Sequence, residues 1–103
     1  ELLLAQDHRP SAVICANDEM AAGVFQAAAA LELTIPRELS VTGFDNSPVA
    51  SHLWPPLTSV RQPVQEMTAL AVELLVNPRD RTEAIQQFEA QVVTRASTAH
   101  INS

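Results

Sequence analysis

The stretch Ser11-Ala12-Val13-Ile14-Cys15-Ala16-Asn17-Asp18-Glu19-Met20 constrains this chain more than any other. An unbroken apolar run with the β-formers Val13 and Ile14 passes directly into Asn17-Asp18, and a long Ala-rich run of helix formers follows. A short apolar run of this kind reads as a strand buried on both faces, the habit of parallel sheets lying beneath helices. Asn and Asp are favoured helix caps because a short side-chain oxygen accepts an orphan N–H of the first turn. The chain is therefore expected to leave the carboxyl end of a strand over Ala12 to Ala16, turn, and enter a helix. In open α/β sheets that edge is where ligands bind. One of Asn17 and Asp18 is expected to cap the helix, leaving the other free to face a cleft.

The same arrangement returns at Ser40-Val41-Thr42-Gly43-Phe44-Asp45, a second strand ending in an acid and followed by Asn46. Gly43 within it signals close approach by another backbone or a ligand. Between the two strands, Glu19 to Leu31 reads as a helix that is apolar all round, with only Glu19 and Gln26 polar before Glu32. Met20, Val24, Ala27, Ala28 and Leu31 are assigned to the face on the sheet. Ala22, Phe25, Gln26 and Ala29 form a second face. A helix apolar on every side is buried on every side, so in a domain this small the second face is expected to meet another subunit.

Before the first strand, Leu2 to Gln6 reads as the end of a helix that Pro10 keeps from continuing. Glu1 to Asp7 offers neither an initiator Met nor a cap, so the chain reads as a piece of something longer. After the second strand, Ser47 to Leu53 can form one or two helical turns, which Trp54-Pro55-Pro56 ends. Leu57 to Gln62 alternates as a third strand. Pro63 suits a first helical position, where its missing N–H costs nothing. Val64, Met67, Leu70, Ala71, Leu74 and Leu75 give the helix after it a broad apolar face. Asn77 to Arg81 is a polar turn, Gln91 to Arg95 a last strand, and Ala96 to Ser103 a frayed tail.

Composition excludes several functions. A chain of 103 residues makes one small domain. Its net charge of −6 opposes phosphate backbones and anionic membranes, so the chain itself should hold neither nucleic acid nor a lipid surface. The lone Cys15 cannot form an internal disulfide and fits a reducing, cytoplasmic setting. No apolar stretch is long enough to span a membrane. His8, His52 and His100 lie far apart, so no metal is expected. Two glycines in the whole chain leave no phosphate loop, and no Gly-x-Ser-x-Gly elbow is present. Neither catalysis nor a cofactor is expected.

Three blocks in this order and spacing carry a resemblance. They are Cys15-Ala16-Asn17-Asp18-Glu19-Met20-Ala21, then Pro36 with Ser40-Val41-Thr42-Gly43-Phe44-Asp45-Asn46, then Pro55-Pro56-Leu57-Thr58-Ser59-Val60-Arg61-Gln62-Pro63. Together they resemble the C-terminal part of the effector-binding region of LacI/GalR-type bacterial transcription regulators. The ending Val93-Thr94-Arg95-Ala96-Ser97-Thr98 is similar to that family's usual close. The resemblance implies an α/β fold, here the parallel-sheet lobe of a periplasmic-binding-protein-like (type I) architecture, truncated. It implies that residues 1–62 and 91–103 belong to the C-terminal lobe, and that residues 63–86 belong to an N-terminal lobe otherwise missing from this chain. It further implies a small sugar-like effector between the lobes, a homodimer, and operator DNA bound only through an absent helix-turn-helix headpiece. Asn17 and Asp45 match the positions that commonly hydrogen-bond effector hydroxyls. Ala22, Phe25, Gln26 and Ala29, with Ser51, His52 and Leu53, match the dimer contact.

Two departures stand out. Glu32 occupies the place where the family usually has a helix-closing Gly. Asp45-Asn46 replaces a common Asp-Asp pair, making the pocket less acidic. The rival reading is a periplasmic-type sugar-binding protein or sensor domain of a transport system, which shares the architecture.

Overall fold

The computed structural model describes residues 2–77 and 86–101. In chain order the elements are β1 (Ala12–Ile14), α1 (Asp18–Ala30), β2 (Ser40–Thr42), α2 (Pro48–His52), β3 (Ser59–Arg61), α3 (Val64–Val76) and β4 (Gln91–Val93). β1 and β2 pair in parallel, with Ala12 opposite Ser40 and Ile14 opposite Thr42. A parallel bridge between Thr42 and Thr58 carries the same direction on towards β3. The backbone bonds from Gly43 N–H to the Thr58 carbonyl (3.0 Å) and from Asp45 N–H to the Val60 carbonyl (2.9 Å) continue it. β4 runs antiparallel to β3, with Arg61 opposite Gln91. Thus β1, β2 and β3 end at one edge. The chain leaves that edge after Arg61 and returns to it at Gln91.

The core is aliphatic and small. Leu4, Cys15, Ala21, Ala28, Leu39, Val41, Ala50 and Leu57 are buried, and Val13, Val24, Phe25, Ala27, Leu33, Ile35 and Leu53 pack against them. Burial in this apolar setting pushes the Cys15 thiol up from its ordinary pKa.

β1 is not buried on both faces. Val13 and Cys15 point into the core, whereas Ile14 is 86% exposed. α1 covers one face of the β1–β2 pair, and among the described residues no second layer lies on the other.

The expected sheet-facing side of α1 holds in part: Val24, Ala27 and Ala28 lie in or against the core, but the buried side is rotated towards Ala21 and Phe25. Asp18, Ala21 and Ala28 are its buried residues, while Met20 and Leu31 are exposed. A polar anchor fixes this rotation. The Asp18 carboxylate accepts hydrogen bonds beneath the helix, so the stripe that turns inward with it contains Ala21, Phe25 and Ala28. Apolar spacing alone does not distinguish this stripe from its neighbour on an Ala-rich helix.

α1 closes as the wound-back motif that Gly usually permits. Glu32 N–H donates to the Ala29 carbonyl (3.1 Å) and Leu33 N–H to the Ala28 carbonyl (2.8 Å). Glu32 has φ of 57°, the left-handed conformation that this geometry requires.

Both chain ends differ from expectation. Leu2 to Ala5 form turns rather than a helix, with Leu4 buried. Beyond β4 the expected frayed tail is clamped over Arg95 to Ala99, while Asn102 and Ser103 lie outside the described residues. Ser97 is fully buried, and Val41 N–H donates to its carbonyl (2.9 Å). Its hydroxyl donates to the Val41 carbonyl and accepts Thr58 N–H (2.9 Å). Ala99 N–H donates to Ser40 Oγ (3.1 Å). Small, polar and turn-like in sequence, this segment gains its order from β2 on one side and from Thr58 and the Pro56 carbonyl, which accepts Ala96 N–H (3.0 Å), on the other.

α3 forms over the expected residues, with Pro63 as its N-cap rather than its first residue. None of its side chains is buried, and Val64, Val72, Leu75 and Val76 are largely open. The chain as a whole measures 56 × 25 × 23 Å. The polar turn expected at Asn77 to Arg81 lies outside the described residues except for Asn77, which caps α3.

Candidate functional site

The carboxyl edge of β1 and β2 collects the polar residues of interest. Asn17 has extended backbone, with φ of −155° and ψ of 172°, and caps α1: its Oδ1 accepts the Met20 N–H at 2.8 Å. The amide nitrogen of the same side chain keeps two donors for a ligand. Asp18, the expected cleft-facing alternative, is instead 1% exposed. Its N–H donates to the Phe44 carbonyl (3.1 Å), which joins the end of β1 to the end of β2. Its carboxylate accepts Ser47 N–H (2.6 Å), the Ser47 hydroxyl (3.0 Å) and the Ser59 hydroxyl (2.6 Å). Three elements are thereby tied at one point, and the acid is structural.

Gly43 exists for this junction. A Cβ there would run into Asp18 Oδ1 and lie 2.9 Å from Leu57 Cδ2. Its φ is not left-handed, so the requirement is space rather than backbone freedom. The close approach expected from sequence is that of the start of α1.

Beyond Gly43 the backbone is strained. Asp45 and Asn46 have φ of 106° and 55°, conformations costing non-glycine residues about 1–3 kcal/mol each. The strain turns the Asp45 side chain outward, where it is exposed and accepts a long hydrogen bond from Gln62 Nε2 (3.4 Å). Asn46 N–H donates to Ser59 Oγ (3.0 Å). Arg95, just past β4, donates from Nη2 to Asn46 Oδ1 (2.6 Å) and from Nη1 to the Leu57 carbonyl (2.7 Å).

An amide and a carboxylate at adjacent strand ends offer donors and acceptors together, the set that grips vicinal hydroxyls. Gln62 could have been found from its place at the end of the third strand. Asp18 was marked in the sequence as a cap or cleft residue but not as a buried junction, and Ser47, Ser59 and Arg95 carried no local signal, because the bonds that define all four span 29 to 49 residues. Among the described residues no cluster of three or more His, Cys, Asp or Glu side chains could hold a metal.

The residues expected at a subunit contact lie on α1 and α2. Ala22 and Phe25 are half-buried, and Phe25 also packs into the chain's own core. Gln26 and Ala29 are exposed, as are Ser51 and His52, and Leu53 is half-buried. Ser51 Oγ and His52 Nδ1 both donate back to the Pro48 carbonyl, at 3.1 and 2.7 Å.

Residues 1–98 match the family described as a periplasmic binding protein-like domain. The chain belongs to that family. Within it, this LacI-type domain is 40% identical over 90 residues to the ribose operon repressor of Escherichia coli (strain K12), covering 87% of this chain and 27% of that protein. It is 39% identical over 98 residues to a lactose operon repressor of Rhizobium radiobacter, covering 92% of this chain and 86% of that protein. It superposes with a TM-score of 0.84 on a LacI-family regulatory protein from Chloroflexus aggregans, at 36% identity over 96% of this chain and 37% of the other. A LacI-family regulator from Lactobacillus casei with bound sucrose matches with a TM-score of 0.73 and 31% identity, over 87% and 34% of the two chains. The LacI-type resemblance and the type I fold read from the three sequence blocks are thus borne out. The LacI-type chain spans about a quarter of the length of the ribose operon repressor. Among its described residues no helix is long and apolar enough to cross a membrane.

Proposed function

We propose that this chain is the effector-sensing and dimer-forming part of a cytoplasmic LacI-type transcription regulator. In this reading Asn17 and Asp45 hydrogen-bond the hydroxyls of a small sugar-like effector. Residues 1–62 and 91–103 form one wall of its cleft, and residues 63–86 belong to the other lobe. The observation that carries the reading is positional. The edge that presents Asn17 and Asp45 is also the edge from which the chain departs at Gln62-Pro63 towards an unburied apolar helix. A ligand at that edge sits where a second lobe built on α3 would close over it. Effector binding then changes operator affinity through a helix-turn-helix headpiece that this chain does not include. Relatives named for ribose and lactose operons, and one with bound sucrose, support a sugar-like effector.

The test is titration calorimetry of the full-length regulator with D-ribose, sucrose and lactose, repeated with Asn17→Ala and Asp45→Ala. Each substitution should weaken the sugar that binds by about tenfold or more, the worth of one or two lost hydrogen bonds. Unchanged affinity in both variants would remove these residues from the site.

The proposed dimer is two-fold, with Ala22, Phe25, Gln26 and Ala29 and the Ser51-His52-Leu53 turn meeting their own copies. The double variant Ala22→Glu, Ala29→Glu places like charges at that contact and should sediment as a monomer. A dimer of undiminished mass would place the interface elsewhere.

A further inference from the structure

The turn that bears Asp45 is held by a residue far along the chain. Two successive non-glycine residues in left-handed conformations, Asp45 and Asn46, do not hold that shape unaided. The backbone supports are Val60, whose carbonyl accepts Asp45 N–H (2.9 Å), and Ser59, whose hydroxyl accepts Asn46 N–H (3.0 Å). The side-chain support is Arg95, whose Nη2 donates to Asn46 Oδ1 at 2.6 Å.

Arg95 is itself fixed at both ends. Its backbone N–H donates to Thr58 Oγ1 (3.0 Å), and Nη1 donates to the Leu57 carbonyl (2.7 Å). The two guanidinium bonds use the planar fork that Arg has and Lys lacks. Neither acceptor is a carboxylate, so the contact works by geometry rather than as an ion pair. The Ser59 hydroxyl also donates to Asp18 Oδ1 (2.6 Å), next to Asn17. The two arms of the edge are therefore joined through Asn46, Ser59 and Asp18.

Arg95 comes two residues after β4, the strand by which the chain returns from α3. We infer that Arg95 is a positioning residue of the effector site, linking that returning strand to the turn that aims Asp45. A shift of the returning strand displaces Asn46 and with it Asp45. By thermodynamic reciprocity, an effector that fixes Asp45 biases the position of the strand. This inference rests on the reading that Asp45 contacts the effector.

A double-mutant cycle in the full-length regulator tests it. The variants are Arg95→Met, Asn46→Gly and the two combined, titrated by calorimetry with D-ribose, sucrose and lactose. Asn46→Gly keeps the left-handed backbone accessible and removes only the acceptor, so the cycle survives if Arg95→Met fails to fold. Each single variant should weaken the bound sugar by about ten- to hundredfold, as expected for one hydrogen bond to a charged donor. The double variant should bind no worse than the weaker single one, because both changes remove the same contact. Arg95→Lys should recover part of the affinity. Unchanged affinity in Asn46→Gly, or losses that multiply in the double variant, would overturn the inference while leaving the effector site intact. A wild-type protein that binds none of the three sugars would overturn the sugar reading first, and this inference with it.

Discussion

Asp18 shows how one buried side chain can organise several elements. Its three accepted hydrogen bonds reach Ser47 before α2 and Ser59 in β3, while its backbone N–H joins the ends of β1 and β2. Asp18→Asn keeps the shape but replaces one acceptor oxygen with a donor facing other donors. The variant should lose about 2–3 kcal/mol, measurable as a lower urea midpoint at unchanged slope. A loss below the error of extrapolation would mean that water replaces the missing bond. Glu32 offers the opposite case. At φ of 57° a side chain is strained, so Glu32→Gly should raise stability by about 1 kcal/mol despite the more flexible unfolded chain. A fall in midpoint would mean that the Glu side chain contributes more than its backbone costs. The sequence showed the departure at Glu32, and the helix closes there all the same, because the two closing bonds depend on backbone rather than side chain.

At the scale of elements, α1 and α3 have similar lengths and similar apolar content but opposite fates. α1 is held by its Asn17 cap, by the Asp18 junction below and by a C-terminal closing motif. α3 has no side-chain cap bond at Pro63 and no buried residue. An isolated helix of about thirteen residues is marginal in water, since few hydrogen bonds repay its nucleation. Amide hydrogen exchange in this chain alone should therefore find α3 protected orders of magnitude less than Ala21 to Ala28 of α1. On the proposed lobe assignment, the same amides should become protected in the full-length protein, where a second lobe would cover Val64, Met67, Leu74 and Leu75. Equal protection of the two helices in the 103-residue chain would contradict this account of α3. The helix itself was legible from apolar spacing. Its lack of cover within this chain was an expectation of the resemblance, which assigned residues 63–86 to a missing lobe, and not of spacing, which reports which face seeks a partner and not whether one is present.

For the molecule as a whole, the cleft reading has a consequence for affinity. One wall supplies part of the polar contacts and leaves the ligand's other side in water. Little free energy then survives the loss of translational and rotational freedom on association. The 103-residue chain by itself should show no micromolar binding of ribose, sucrose or lactose by calorimetry. Micromolar affinity for any of them would mean that this edge is a complete site. The full-length regulator is where tight binding is expected.

From the first strand on, the sequence by itself determined the order of the elements, together with the α/β class, the small aliphatic core and the edge where strand ends meet caps. These follow from local rules: apolar runs, Asn and Asp at turns, and Pro at element boundaries. It also pointed to close packing at Gly43, because a glycine in a strand has few other uses. Only the tertiary structure decided which side of α1 turns inward and which of Asn17 and Asp18 is structural. It alone ordered the segment around Ser97 and strained the turn at Asp45 and Asn46. Each of these rests on hydrogen bonds between residues tens of positions apart, such as Ser59 with Asp18 and Arg95 with Asn46. No local pattern records such bonds, because the partners meet only once the strands have assembled.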